Sequence, residues 1–157
     1  MTARARRLLG AVVLLALLGP LVVDWLWVSD EEKVVASLDA MERALEARDG
    51  PATAAWFASE VKLARPLPGI NARVPLAEGL TALLAQLSQL KIDRDDTQVA
   101  FAEDGTAAVT ISGTFFLEHE KHGAMPFKFR LQTTLREDGD RYLLQSLDSF
   151  TFGPLFG

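Results

Sequence analysis

Apolar residues fall along this chain in three patterns: one unbroken run, then a helical period, then strict alternation. The run extends from Leu8 to Val28 and is interrupted only by Pro20 and Asp24. Ser29-Asp30-Glu31-Glu32 follows with the Ser-x-x-Glu form of a capping box and acids in the first turn of a helix. Val34, Val35, Leu38, Met41 and Leu45 then recur at helical spacing, and Asp49-Gly50-Pro51 breaks the element after Arg48. Asp49 is expected to cap a short second helix, with Pro51 in its first turn, that carries Trp56 and Phe57. Val61 to Leu63 reads as a short strand, and Arg65-Pro66-Leu67-Pro68-Gly69 is a loop by composition. Leu76, Leu80, Leu83, Leu84, Leu87 and Leu90 form one stripe on a third helix.

From there the period changes to two. Val99 and Phe101 alternate with smaller residues before a turn at Asp104-Gly105. Val109, Ile111, Gly113, Phe115 and Leu117 share one face of the next strand. His119 to Gly123 make a turn, after which Phe127, Phe129, Leu131, Thr133 and Leu135 alternate with Lys128, Arg130, Gln132, Thr134 and Arg136. Glu137 to Asp140 turn again into a last strand from Tyr142 to Phe152. Consecutive hairpins imply an antiparallel meander with one wet face. The expected fold is α+β: three N-terminal helices packed into a curved antiparallel sheet, a cone, preceded by one transmembrane helix.

The apolar run carries the organisation of the chain. About 21 helical residues span about 31 Å, close to the ~30 Å hydrocarbon core. Arg4, Arg6 and Arg7 precede it and place the N-terminus inside, while Trp25 and Trp27 suit the outer headgroup level. Residues 1–28 are therefore expected to be an uncleaved anchor. Residues 29–157 then form one extracytoplasmic domain of a single-pass inner-membrane protein, facing the periplasm. The alternative is a cleaved signal peptide releasing the domain, but Ala16, Gly19 and Ser29 make a poor small-x-small cleavage site.

The formal net charge of −5 becomes −7 for the exported part, with 13 basic and 20 acidic residues. An acidic domain repels nucleic acid, so no nucleic-acid partner is expected. The lack of cysteine excludes disulfides, thiol nucleophiles and thiolate metal sites together.

The stretch Leu45-Glu46-Ala47-Arg48-Asp49-Gly50-Pro51-Ala52-Thr53-Ala54-Ala55-Trp56-Phe57-Ala58-Ser59-Glu60-Val61 resembles the helix-turn-helix entry of the nuclear transport factor 2-like superfamily. That superfamily includes SnoaL-like cyclases and ketosteroid isomerase, and the likeness in element order covers residues 30 to 152. It implies a bent sheet around the first helix with a pocket at the open end. The superfamily holds enzymes and non-enzymes, so function rests on the site. The isomerases carry a tyrosine on helix one, a base aspartate before a proline and a protonated aspartate on a late strand. Aligned through Asp49 and Phe57, these fall on Met41, on Arg65 before Pro66, and near Leu131. Methionine and leucine move no proton, and arginine does not deprotonate. The resemblance therefore argues against isomerase chemistry at those positions.

Other candidate chemistry is sparse. His119 and His122 are three apart, but a hairpin turn rarely converges them with a third ligand. Asp93, Asp95 and Asp96 lack the spacing and glycine of a calcium loop and read as a solvated turn. Lys128, Arg130 and Arg136 read as a wet sheet face. No phosphate loop, nucleophile motif, metal site or cofactor is expected. The pocket-lining candidates are Met41, Trp56, Phe57, Arg65, Phe129 and Leu131. The apolar tail supplies docking candidates Leu155 and Phe156.

Two functional readings follow. In the first, the protein is a membrane-anchored binding or scaffold module that docks a partner protein, a second copy or a small apolar ligand. This architecture resembles periplasmic scaffold subunits of type IV secretion systems. In the second, it is a SnoaL-like isomerase, cyclase or dehydratase acting on a hydrophobic small molecule. The discriminator is an ionisable side chain inside the cone. None is expected beyond Arg65 near the mouth, which favours the first reading.

Overall fold

A computed structural model of the 157-residue chain describes Ala16 and residues 28–64, 75–119 and 123–154. Contacts divide the chain into residues 1–32 and residues 33–157. In the described part of the first unit, the Glu32 amide donates to Ser29 Oγ (3.2 Å) and the Ser29 amide donates to Glu32 Oε2 (2.8 Å). These reciprocal bonds are the expected capping box. Among the described residues no helix is long and apolar enough to cross a membrane. Apart from Ala16 and Val28, the anchor expected from Leu8 to Val28 lies outside them.

From residue 30 on, the described residues form three helices and five strands: α1 Asp30–Glu46, α2 Gly50–Ala54, β1 Phe57–Leu63, α3 Leu76–Leu84, β2 Gln89–Phe101, β3 Ala107–His119, β4 Gly123–Asp138 and β5 Arg141–Pro154. The sheet order is β1-β5-β4-β3-β2. The β2 to β5 meander is antiparallel, but β1 runs parallel to β5, so the sheet is mixed rather than wholly antiparallel. β1 and β2, consecutive strands in the chain, therefore stand at opposite edges of the sheet.

The short second helix is capped as expected, with Asp49 accepting from the Ala52 amide at 2.9 Å. It ends at Ala54, however, and does not carry the two aromatics. Trp56 sits in the turn after it, and Phe57 opens β1 opposite Leu144. Its five residues cannot extend past Ala54, because the Leu144 amide donates to the Trp56 carbonyl at 2.8 Å and draws that backbone into the sheet. Likewise α3 stops at Leu84, and Leu90 belongs to β2 opposite Leu117. Asp93, Asp95 and Asp96 lie on β2 rather than in a turn.

Alternation sets the concave face. Val109, Ile111 and Phe115 of β3 join Phe129, Leu131 and Leu135 of β4 against Val34, Leu38 and Met41 of α1. Two register shifts between β4 and β5, after Gln132 and after Thr134, add residues to β5 and bend the sheet around the helix. One end is tightly closed. Val34 and Leu135 are 0% exposed, and the Tyr142 amide donates to buried Ser37 Oγ at 2.9 Å. The helix is therefore pinned to the start of β5 by a satisfied buried hydrogen bond as well as by apolar packing.

Candidate functional site

A cavity of about 70 Å³ lies between the last turns of α1 and the concave face, lined by Leu38, Met41, Glu42 and Leu45 of α1 together with Ile92, Ile111, Phe115, Phe129, Leu131, Thr133 and Leu144. The Phe115 and Phe129 rings stack across its wall, with centroids 4.1 Å apart. Thr133 adds little polarity, because its hydroxyl donates to the Ser146 carbonyl at 2.6 Å. Glu42 is the one ionisable residue among those lining the cavity. Burial pushes its carboxyl above the ordinary 4.5; Arg94 opposes that shift, while Asp39 and Glu46 add to it.

The expectation that no carboxyl enters the cone is therefore corrected. Glu42 follows Leu38 by four residues and precedes Leu45 by three, so helical geometry puts it on the same apolar stripe. That interruption of the stripe by one acid was a signal the sequence carried.

The surroundings of Glu42 are ordered. Asp39, Glu42 and Glu46 lie along one side of α1, toward the edge strand β2. Glu46 Oε1 accepts from the Ile92 amide at 2.8 Å, which satisfies a backbone donor on the outer edge of β2. Arg94 lies between Asp39 and Glu42. Its Nη2 donates to Asp39 Oδ1, and its Nε lies 3.4 Å from Glu42 Oε1. The Arg94 side chain is only 17% exposed.

Gly113 makes room for this arrangement. It stands opposite Arg94, where β2 gains an extra residue at Asp95. A Cβ at this position would lie 2.3 Å from the Asp93 carbonyl oxygen and 2.9 Å from Phe129 Cε1. The bulge and the stacked phenylalanines therefore both depend on the missing side chain.

Beyond the cavity the concave wall continues as aromatic surface. Phe115 packs near Phe150 (6.3 Å), Phe150 near Phe152 (5.6 Å) and Phe127 near Phe152 (6.2 Å). Phe152 is 66% exposed at its outer end. A cavity of about 70 Å³ is far below the ~300–1,000 Å³ that encloses a whole small ligand, so only an edge of a ligand fits inside. The aromatic wall is where the remaining ligand surface would lie.

Met41, Phe129 and Leu131 line the cavity. Trp56 and Phe57 pack against the core around it without lining it, and Trp56 has the Arg141 guanidinium over its ring at 5.4 Å. Arg65, Leu155 and Phe156 lie outside the described residues. Among the described residues no cluster of three or more His, Asp or Glu is placed to hold a metal.

No protein-family model and no curated protein matches the sequence. Solved structures do match the fold. A protein named as a dehydratase of the NTF2-like (nuclear transport factor 2-like) family from Streptomyces avermitilis superposes with a TM-score of 0.62 and 17% identity, over 80% of this chain and 96% of that one. One named as an aromatic ring hydroxylase from Novosphingobium aromaticivorans gives a TM-score of 0.65 at 16% identity, over 82% and 90%. One named as a calcium/calmodulin-dependent protein kinase II association domain from Xanthomonas campestris gives 0.61 at 16%, over 82% and 90%. The domain thus has the nuclear transport factor 2-like fold, in neighbours named for catalysis and for association alike.

Proposed function

We propose that the domain is a SnoaL-like enzyme of the proton-transfer type, an isomerase, cyclase or dehydratase, acting on a hydrophobic small molecule, with Glu42 as its acid–base group. The observation that carries this reading is one carboxyl, raised by burial, in an otherwise apolar cavity. A carboxyl of that kind holds a proton closer to neutrality than a solvated one and exchanges it with a bound substrate rather than with water. One such group suffices for an enolisation. Its carboxylate takes a proton from carbon beside a carbonyl, the electron pair moves into the enolate, and the same carboxyl returns the proton to carbon. The stacked Phe115 and Phe129 would hold the reacting edge, and exclusion of water would strengthen the interaction. The neighbours named as a dehydratase and a hydroxylase support a small-molecule reading.

The test uses 2-tetralone, an uncharged ketone with exchangeable protons beside its carbonyl. Wild-type protein in deuterated water should accelerate deuterium uptake at that carbon, and Glu42→Gln should lose at least about tenfold of the acceleration. Equal rates for the two proteins would remove Glu42 from the mechanism.

The second reading is a docking module, favoured by the exposed Phe152 and Met125 on the outer part of the concave face and by the neighbour named as an association domain. Leu155 and Phe156 remain docking candidates of this reading from the sequence alone. Either reading is compatible with an anchor at residues 1–28 that holds the domain outside the cytoplasm, in reach of lipid-soluble molecules.

A further inference from the structure

We infer that Asp39 is a positioning residue for Glu42: by holding the Nη2 end of Arg94, it keeps the guanidinium from closing onto the cavity carboxyl. The inference rests on the reading of Glu42 as the acid–base group, and it concerns what keeps that group able to carry a proton.

Nε and Nη2 lie along one edge of a guanidinium, and that edge ordinarily takes a single carboxylate through two parallel bonds. Here the edge is divided. Asp39 accepts from Nη2, and Glu42 is left with Nε at 3.4 Å, beyond the ~2.7–2.9 Å of a charge-assisted bond. The remaining nitrogen, Nη1, is buried with no hydrogen-bond partner among the described residues, so it does not draw the guanidinium elsewhere. Asp39 and Glu42 are three residues apart on α1, so both reach one guanidinium on β2.

The charged groups that bear on Glu42 are Arg94 from β2 and Asp39 and Glu46 from its own helix. Glu46 is engaged by the Ile92 amide. The β3 and β4 side chains that line the cavity, Ile111, Phe115, Phe129, Leu131 and Thr133, carry no charge. Removing the Asp39 charge would free the whole Arg94 edge for a two-point bond to Glu42. A bidentate ion pair strongly favours the ionised carboxylate. Glu42 would then change from a group that holds a proton into one half of a salt bridge.

The experiment is a carbon-13 NMR titration of the Glu42 carboxyl in the full-length chain in detergent, comparing wild type, Asp39→Asn, Arg94→Gln and the double variant. Asp39→Asn should lower the Glu42 midpoint by about one pH unit or more. With Arg94→Gln already present, the same change should lower it by less than about half as much, since only the lost repulsion from Asp39 remains. An unchanged or raised midpoint in Asp39→Asn, or an equal drop in both backgrounds, would overturn the assignment. Asp39 is 47% exposed, so the substitution leaves the core intact, and Asp39→Ser provides a second chain for the same readout. The titration needs no substrate. If Glu42→Gln leaves ketone exchange unaffected, the catalytic reading fails while the Asp39 result stands or falls by itself.

Discussion

The two ends of the concave face differ sharply although they share one sheet and one helix. At the closed end, Val34, Ala107, Val109, Leu135 and Tyr142 are all at most 2% exposed, and Ser37 satisfies the Tyr142 amide. At the other end the same helix and sheet enclose a cavity, with the raised carboxyl of Glu42 on the helix and, on the sheet, a bulge opposite Gly113 and an aromatic wall that reaches solvent at Phe152. The first end is close-packed and carries stability. The second is left incompletely filled, and it is where the proposed chemistry would take place. A polar group in the apolar stripe is tolerated only where packing is already loose and a guanidinium stands near.

Substitutions at the two ends should separate these roles. The largest effect is expected at the closed end: Tyr142→Ala should cost about 3–5 kcal/mol, read as a lowered urea midpoint, with near-native chemistry in the fraction that stays folded. Gly113→Ala acts at the open end, beside the cavity. Its methyl would meet the Asp93 carbonyl at 2.3 Å, so a loss of about 1–3 kcal/mol is expected together with disturbed Phe115–Phe129 stacking and reduced ketone exchange. Full stability in Gly113→Ala would show that the bulge relaxes freely.

Glu42→Gln should act in the opposite sense on stability. Burial raises the folded-state pKa above the ordinary 4.5, so the proton is bound more tightly in the folded chain than in the unfolded one. The stability this contributes is fully present below about 4.5 and is lost as pH rises through the raised value. The variant, free of that ionisation cost, should melt higher than wild type at about pH 7, and the gain should disappear by about pH 4. A constant difference across that range would show that the carboxyl is not perturbed by its site.

The smallest stability change is expected at the rim. Phe152→Ala should alter stability by less than about 0.5 kcal/mol while raising KM for 2-tetralone and leaving kcat nearly unchanged. If it instead abolishes self-association or partner binding and leaves ketone exchange intact, the docking reading takes precedence.

The closed end was far more legible in the sequence than the open one. Ser29 and Glu32 mark the start of α1, and the alternation groups Val109 with Ile111 and Phe115, and Phe129 with Leu131 and Leu135, on shared faces; these are the residues that pack in the core with α1. Trp56 and Phe57 read from the sequence as helical, because capping by Asp49 marks a beginning without marking an end, whereas the helix stops at Ala54. Leu87 and Leu90 kept a helical spacing after the helix had stopped at Leu84, and the pairing of Leu90 with Leu117 outweighs local pattern. The parallel pairing of β1 with β5 is a long-range choice with no local signature. Glu42 was visible in principle as one acid on the stripe from Leu38 to Leu45. Arg94 shares its parity with Ile92, but the bulge at Asp95 then reverses the alternation and hides it. Their meeting at 3.4 Å depends on tertiary geometry alone.

The measurement that bears most directly on Glu42 as the acid–base group is the pH profile of 2-tetralone deuterium exchange, taken as the difference between wild type and Glu42→Gln. That difference should rise with pH as Glu42 ionises, with its midpoint above 4.5 and matching the carboxyl titration of the same residue. A difference of zero across the range, or one whose midpoint lies at or below 4.5, would contradict that role for Glu42.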